Sequence, residues 1–139
     1  MATIFRLNCE AGLEALAEIR EFVAASASAL GLAGAAVEDL KVCADEAATN
    51  IVKYGYGGQK GALLVEVFRQ DDEILVRMLD EAPPFDFGQA SDPDLDRPLH
   101  ERALGGMGIY LIKTLSDGVS HMSNPDGGNE LVFRKRMAG

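Results

Sequence analysis

Apolar positions recur at two periods along this chain, and each change of period marks an element. Residues 2–8 (ATIFRLN) alternate and predict a first strand. Residues 10–30 place Leu13, Leu16, Ile19, Phe22 and Val23 at helical spacing, and Gly31 suits the end of that helix. Residues 35–54 carry a second helical stripe of Val37, Leu40, Ala44, Ala47, Ala48 and Ile51, stopped by Gly55, Gly57 and Gly58. Two strands follow, 63–70 and 73–80, joined by a tight turn at Asp71 and Asp72. Residues 82–104 lose the periodicity: Pro83, Pro84, Gly88, Pro93 and Pro98 sit among Asp, Ser and Gln. Loops of that length inside a compact domain usually serve function. Residues 105–117 predict a third helix with Ile109, Ile112 and Leu115 on one side. Residues 118–124 and 130–137 then close a hairpin around Pro125-Asp126-Gly127-Gly128.

The order is β-α-α-β-β-loop-α-β-β. Strands joined by tight turns pair antiparallel. The expected fold class is therefore α+β: a two-layer sandwich with a mixed, mostly antiparallel sheet covered on one face by three helices. No internal repeat is visible. We expect one domain over residues 1–139.

Composition narrows the function classes. A chain of 139 residues that is 47% hydrophobic is long enough to bury a core. No apolar run approaches the roughly 20 residues that span a bilayer. The opening MATIFRLNCEAG lacks a basic region ahead of an apolar stretch, so the expected location is cytoplasmic, away from membrane. The net charge of −9 argues against direct nucleic-acid binding, which needs clustered Lys and Arg. The late FRKRM run alternates like a solvated strand instead. Cys9 and Cys43 show no metal-ligand spacing, and His100 and His121 are far apart, so zinc is not expected.

Three segments carry candidate chemistry. In the second helix, Glu46, Thr49, Asn50 and Lys53 project away from the apolar stripe, and Glu46 and Asn50 are neighbours at i, i+4. An amide oxygen can ligate a hard cation, and a carboxylate can orient or deprotonate a hydroxyl. A plain solvated face would look the same. At the end of a strongly apolar strand, Asp80 is followed by EAPPFDF. It reads either as a turn residue or as an acceptor for a ligand amine, with Phe85 held as a wall by Pro83 and Pro84. Gly105, Gly106 and Gly108 open the third helix, where backbone N–H groups can meet phosphate. They read equally as a hinge. No Gly-Lys-Ser/Thr follows, so this is not a P-loop.

Taken together, the segments resemble the Bergerat-fold ATPases, the superfamily of gyrases, heat-shock chaperones, sensor histidine kinases and mismatch-repair ATPases. DEAATNIVKYGY (45–56) looks like the N-box, LDEAPPFD (79–86) like the first glycine box, and GGMGIYLIKTLSD (105–117) like the second. Order and spacing fit over nearly the whole chain. Within the superfamily the chain resembles the small anti-sigma-factor serine kinases, the RsbW-like branch. The PPFD run and the path from GGMGIYLIKTLSD to GGNELVFRK carry that likeness.

The resemblance implies a role for each matching residue. Asn50 would ligate Mg²⁺ between the phosphates, and Glu46 would act as base or orienter for the attacking hydroxyl. Asp80 would accept the adenine amine. Gly105, Gly106, Met107 and Gly108 would border the phosphates through backbone N–H groups. Residues 87–104 would form an ATP lid carrying Arg102. Asn129 stands where relatives often carry a Thr by the adenine. Ala82 departs from the pattern, because the first box usually has Gly there. A methyl group could crowd the base or forbid a positive φ.

The implied activity is that of a protein serine/threonine kinase using ATP and Mg²⁺. It would phosphorylate a STAS-type anti-anti-sigma factor and hold an RNA polymerase sigma factor inactive, as a homodimer formed through the sheet side. The first helix exposes Glu14, Glu18, Arg20 and Glu21, either as a partner surface or as a solvated face. The alternative is an ATP-dependent partner-switching module without kinase activity. A histidine kinase fragment is disfavoured, because no helix carries an acceptor His.

Overall fold

A computed structural model describes residues 3–84 and 104–137, with the side chains of 104–109 left out. Strand β1 (Ile4–Ala11) leads through a 3-10 turn at Leu13–Ala15 into α1 (Leu16–Ala29). Helix α2 (Gly34–Asn50) runs on as a π turn over Ile51–Gly55. Strands β2 (Gly61–Gln70) and β3 (Glu73–Asp80) follow, then α3 (Leu104–Leu115), β4 (Gly118–Ser123) and β5 (Asn129–Arg136).

The strands form one sheet in the order β1-β2-β3-β5-β4, antiparallel at each pairing. Period-2 alternation turns Leu63, Val65, Val67, Ile74, Val76, Met78, Leu131 and Phe133 to one face. They share a single buried core with Ile19, Val23, Leu40, Ala44, Ala47 and Ile112 from the helices. The α+β two-layer sandwich expected from the sequence is therefore what the chain forms.

One boundary is corrected. Residues 10–15 were expected in the first helix, but Glu10 and Ala11 pair with Ala62 and Gly61 in the sheet. Gly12 is extended, and a 3-10 turn precedes the regular helix. Cross-strand hydrogen bonds outcompete helical periodicity there, because Leu13 itself is 63% exposed and gains little from the helical register.

Two turns need their residue types. Gly31 closes α1 at φ +101°, and Asp71 takes φ +55° in the β2–β3 turn. Lys135 fixes the far end of α3: its Nζ donates to the Leu115 carbonyl at 2.6 Å and pairs with Asp39 on α2 at 2.9 Å. A cation there suits the negative end of the helix dipole. The basic run at 133–137 is thus partly committed inward, and Arg134 pairs with Glu73 at 3.0 Å.

The sheet face away from the helices carries Ile4, Phe68, Leu75 and Val132. Among them Arg6, Glu66, Arg77 and Glu130 form a chain of ion pairs. Glu66 is only 6% exposed, but Arg6 bonds it at 2.7 Å and Arg77 at 3.4 Å. Those partners offset its desolvation.

Candidate functional site

Helix α2 packs against both α1 and α3. The stripe Val37, Leu40, Ala44, Ala47, Ala48 and Ile51 is buried as expected. Asn50 is 5% exposed, so the alternative of a plain solvated face does not hold for it. The helical wheel alone could not show this, because it takes no account of the elements that pack around the helix. The Asn50 Nδ2 is buried without a hydrogen-bond partner among the described residues. Leaving such a donor unpaired costs about 1–3 kcal/mol unless a ligand engages it. Glu46, one turn earlier, is half-buried. Burial, and secondarily the charge of Asp45, push its pKa above the ordinary 4.5, and Lys53 opposes them. Arg20 on α1 holds Asp45 at 2.9 Å. Thr49 spends its hydroxyl on the Asp45 carbonyl at 2.7 Å, and Lys53 is exposed.

The π turn after Asn50 is closed by Tyr56 N–H to Ile51 O at 2.9 Å. Such turns gather at functional sites. It brings Tyr56 to the end of β3, where its phenol oxygen accepts the Glu81 N–H at 2.8 Å. The second helix and the segment after β3 are thereby joined.

Asp80 ends β3, 7% exposed. Its Oδ1 accepts the Ala82 N–H at 3.0 Å and the Asn129 Nδ2 at 2.8 Å. The first bond is the turn chemistry, and the Asn129 backbone N–H is a further donor beside the carboxylate. Desolvation raises the Asp80 pKa against the pull of those hydrogen bonds and of His121.

Asn129 is more deeply involved than its sequence position suggested. It is buried, and its Nδ2 also reaches the carbonyls of Pro83 and Ala82 at 3.3 and 3.4 Å. Its Oδ1 accepts the Ser123 hydroxyl at 2.6 Å. Gly128, at φ +96°, donates to Ala82 O at 2.8 Å, and a Cβ there would meet Asp80 O at 3.0 Å. Tyr56, Ser123 and Gly128 escaped the sequence reading; the only signal was the YGYGG and DGGN runs.

Ala82 is fully buried and does not adopt a positive φ. The doubt over a missing glycine is answered at the backbone level. Ala82→Gly is therefore expected to destabilise the protein by about 0.5–1 kcal/mol through unfolded-state entropy. It should leave nucleotide affinity unimproved; thermal melting and titration calorimetry on the variant check both.

Gly105, Gly106, Met107 and Gly108 lie in the opening turns of α3. A glycine inside a helix costs about 1 kcal/mol relative to alanine. Three together at a helix start leave the unpaired N–H groups open to close approach. Phe85, Asp86, Arg102 and the assigned lid up to Ala103 lie outside the described residues, while Leu104 begins α3. A cleft of about 340 Å³ opens beside Asp80, Glu81, Gly128 and Asn129. Its lining also includes Met122, Asp126 and Glu130, and those two carboxylates suit no phosphate.

The residues fit a nucleotide with a divalent ion. No group of three or more His, Cys, Asp or Glu among the described residues could hold a metal alone. Mg²⁺ characteristically takes one or two protein ligands and completes its shell with phosphate and water. The Asn50 Oδ1 is the atom that could take that partial role, while its unpaired Nδ2 can only donate, as to a phosphate oxygen.

A five-stranded sheet backed on one face by three helices is the architecture of the Bergerat-type ATP-binding domain. The profile for the histidine kinase-like ATPase domain matches residues 9–135, and the chain belongs to that family. Serine-protein kinase RsbW of Bacillus cereus (strain ATCC 10987 / NRS 248) is 31% identical over 120 residues, covering 84% of this chain and 75% of the relative. The same protein of Bacillus thuringiensis subsp. konkukian (strain 97-27) shows the same identity and coverage, and that of strain Al Hakam is 30% identical. The likeness is to the RsbW-like branch. Among the described residues no helix is long and apolar enough to cross a membrane.

Proposed function

We propose that this chain is a protein serine/threonine kinase that transfers the γ-phosphoryl group of ATP to a Ser or Thr of a STAS-type anti-anti-sigma factor. In this reading it also sequesters an RNA polymerase sigma factor in the cytoplasm. The observation that carries it is Asn50: a buried amide whose donor has no partner among the described residues, one turn from a half-buried carboxylate, on a helix bonded through Tyr56 to the Asp80 turn.

Phosphoryl transfer asks the protein for position and charge compensation more than for covalent chemistry. Bound Mg²⁺ would supply the charge neutralisation at the phosphates. Asn50 would hold that ion, and the α3 start would offer backbone N–H groups through Gly105, Gly106, Met107 and Gly108. The Asp80 carboxylate would accept the adenine amine. The Glu46 carboxylate would orient the incoming hydroxyl and take its proton.

The test is transfer itself. Labelled ATP and Mg²⁺ are incubated with the protein and a cognate STAS domain, and label is expected on a Ser or Thr of that domain. ATP binding without transfer would leave a nucleotide-dependent binding module in place of a kinase. The open sheet face, where Ile4 is 40% and Met122 68% exposed, suits a second copy. A light-scattering mass of two chains is expected, and a mass of one would sink the dimer.

A further inference from the structure

The ladder between β2 and β3 ends at the pair Leu63↔Asp80. One more step in that register would set Ala62 opposite Glu81. Instead, a phenol stands between them. The Tyr56 hydroxyl donates to Ala62 O at 2.6 Å and accepts from Glu81 N–H at 2.8 Å. One oxygen thus satisfies an acceptor on one strand and a donor on the other, and the strands stay apart by its width. The ring packs against Gly61 so closely that a Cβ there would clash with its Cε1 and Cζ. Burial, with Asp80 and Glu81 nearby, raises the Tyr56 pKa, so the hydroxyl keeps the proton it donates.

We propose that Tyr56 is a positioning residue of the base pocket: its phenol wedges open the end of the β2–β3 ladder and so sets the direction in which Asp80 faces its ligand. The inference rests on the reading that Asp80 accepts the adenine amine. Glu81 is the next residue after Asp80, so wherever Tyr56 holds Glu81 N–H it fixes the Asp80 peptide. On the other side, Gly128 and Asn129 hold the Ala82 carbonyl and Asp80 Oδ1. The phenol completes a clamp on both sides of a single carboxylate. Tyr56 also follows Asn50 by six residues along the π turn, so one side chain links the phosphate-facing helix to the base end.

The test compares ATP with purine riboside triphosphate, which lacks the exocyclic amine, in titrations on wild type and Tyr56→Phe. Phenylalanine keeps the ring on Gly61 and deletes both hydrogen bonds. Wild type is expected to prefer ATP. In Tyr56→Phe the ATP affinity should fall about three- to tenfold, the worth of one or two net hydrogen bonds, with the amine-free nucleotide nearly unchanged. A merely structural phenol would weaken both nucleotides alike and keep the ratio. Gly61→Ala, which displaces the ring while leaving the hydroxyl present, should lower the ratio in the same way and serves if Tyr56→Phe does not fold. In the double variant with Asp80→Asn, the Tyr56→Phe loss should vanish, because it acts through that carboxylate. A wild type that prefers ATP with an unchanged ratio in both variants would overturn the role of Tyr56 alone. A wild type indifferent to the amine would overturn the Asp80 reading and the role of Tyr56 with it.

Discussion

Glu46→Gln is expected to slow phosphoryl transfer to a STAS substrate by about a hundred- to ten-thousand-fold, the range lost with a general base. ATP affinity should stay within about twofold, since only a transition-state interaction is removed. Glutamine keeps the length and a hydrogen-bonding carbonyl but cannot accept a proton. The carboxylate is half-buried beside Asp45, and both raise its pKa above 4.5. A base works only when deprotonated, so rate rises with pH through its pKa. The acid limb of kcat/KM should therefore lie above the ordinary carboxylate position. Asp45→Asn removes the second of the two causes and should move that limb to lower pH. Single-turnover transfer measured across pH on the three proteins checks each step. Wild-type-like transfer in Glu46→Gln would remove Glu46 from the chemistry.

The sandwich was legible because local signals agree with the global fold. Period-2 runs with tight turns specified the hairpins β2–β3 and β4–β5, and the glycines stood where helices end. The Glu46 and Asn50 pair was legible as an i, i+4 motif. What the sequence concealed were consequences of contacts between distant segments. The burial of Asn50 depends on packing that a single helical wheel leaves out. The hold on Asp80 comes from Asn129, 49 positions away. Tyr56 read only as the last residue of the N-box-like run, because a phenol bridging two strand ends leaves no periodic trace. Glu10 and Ala11 were misassigned for a related reason: strand pairing with Ala62 and Gly61 is decided by the partner strand. Ala82 looked like a defect only because the sequence shows a methyl group without its φ.

The buried Asn50 also predicts a conflict between stability and binding. In the free protein its Nδ2 has no partner among the described residues and the residue is 5% exposed. An unpaired buried donor costs about 1–3 kcal/mol, and alanine is the better helix former. Against this, Asn50→Ala removes a few packed atoms and leaves a small void. Those losses are of similar size to the gain, so the melting temperature of the free protein should hold or rise by a few degrees. Mg²⁺-dependent ATP binding should fall by at least about tenfold to a hundredfold, the loss seen even when only an indirect support of a metal ligand is removed. A buried polar side chain kept for structure alone would show the opposite pattern: lower melting temperature with intact binding. Melting curves of the free protein, read beside ATP titrations with and without Mg²⁺, separate the two. If binding persisted with its Mg²⁺ dependence unchanged, Asn50 would not be the ligand, and the phosphate half of the site would need another anchor. The expected pattern would instead mark Asn50 as a group held in a costly burial because a ligand makes use of it.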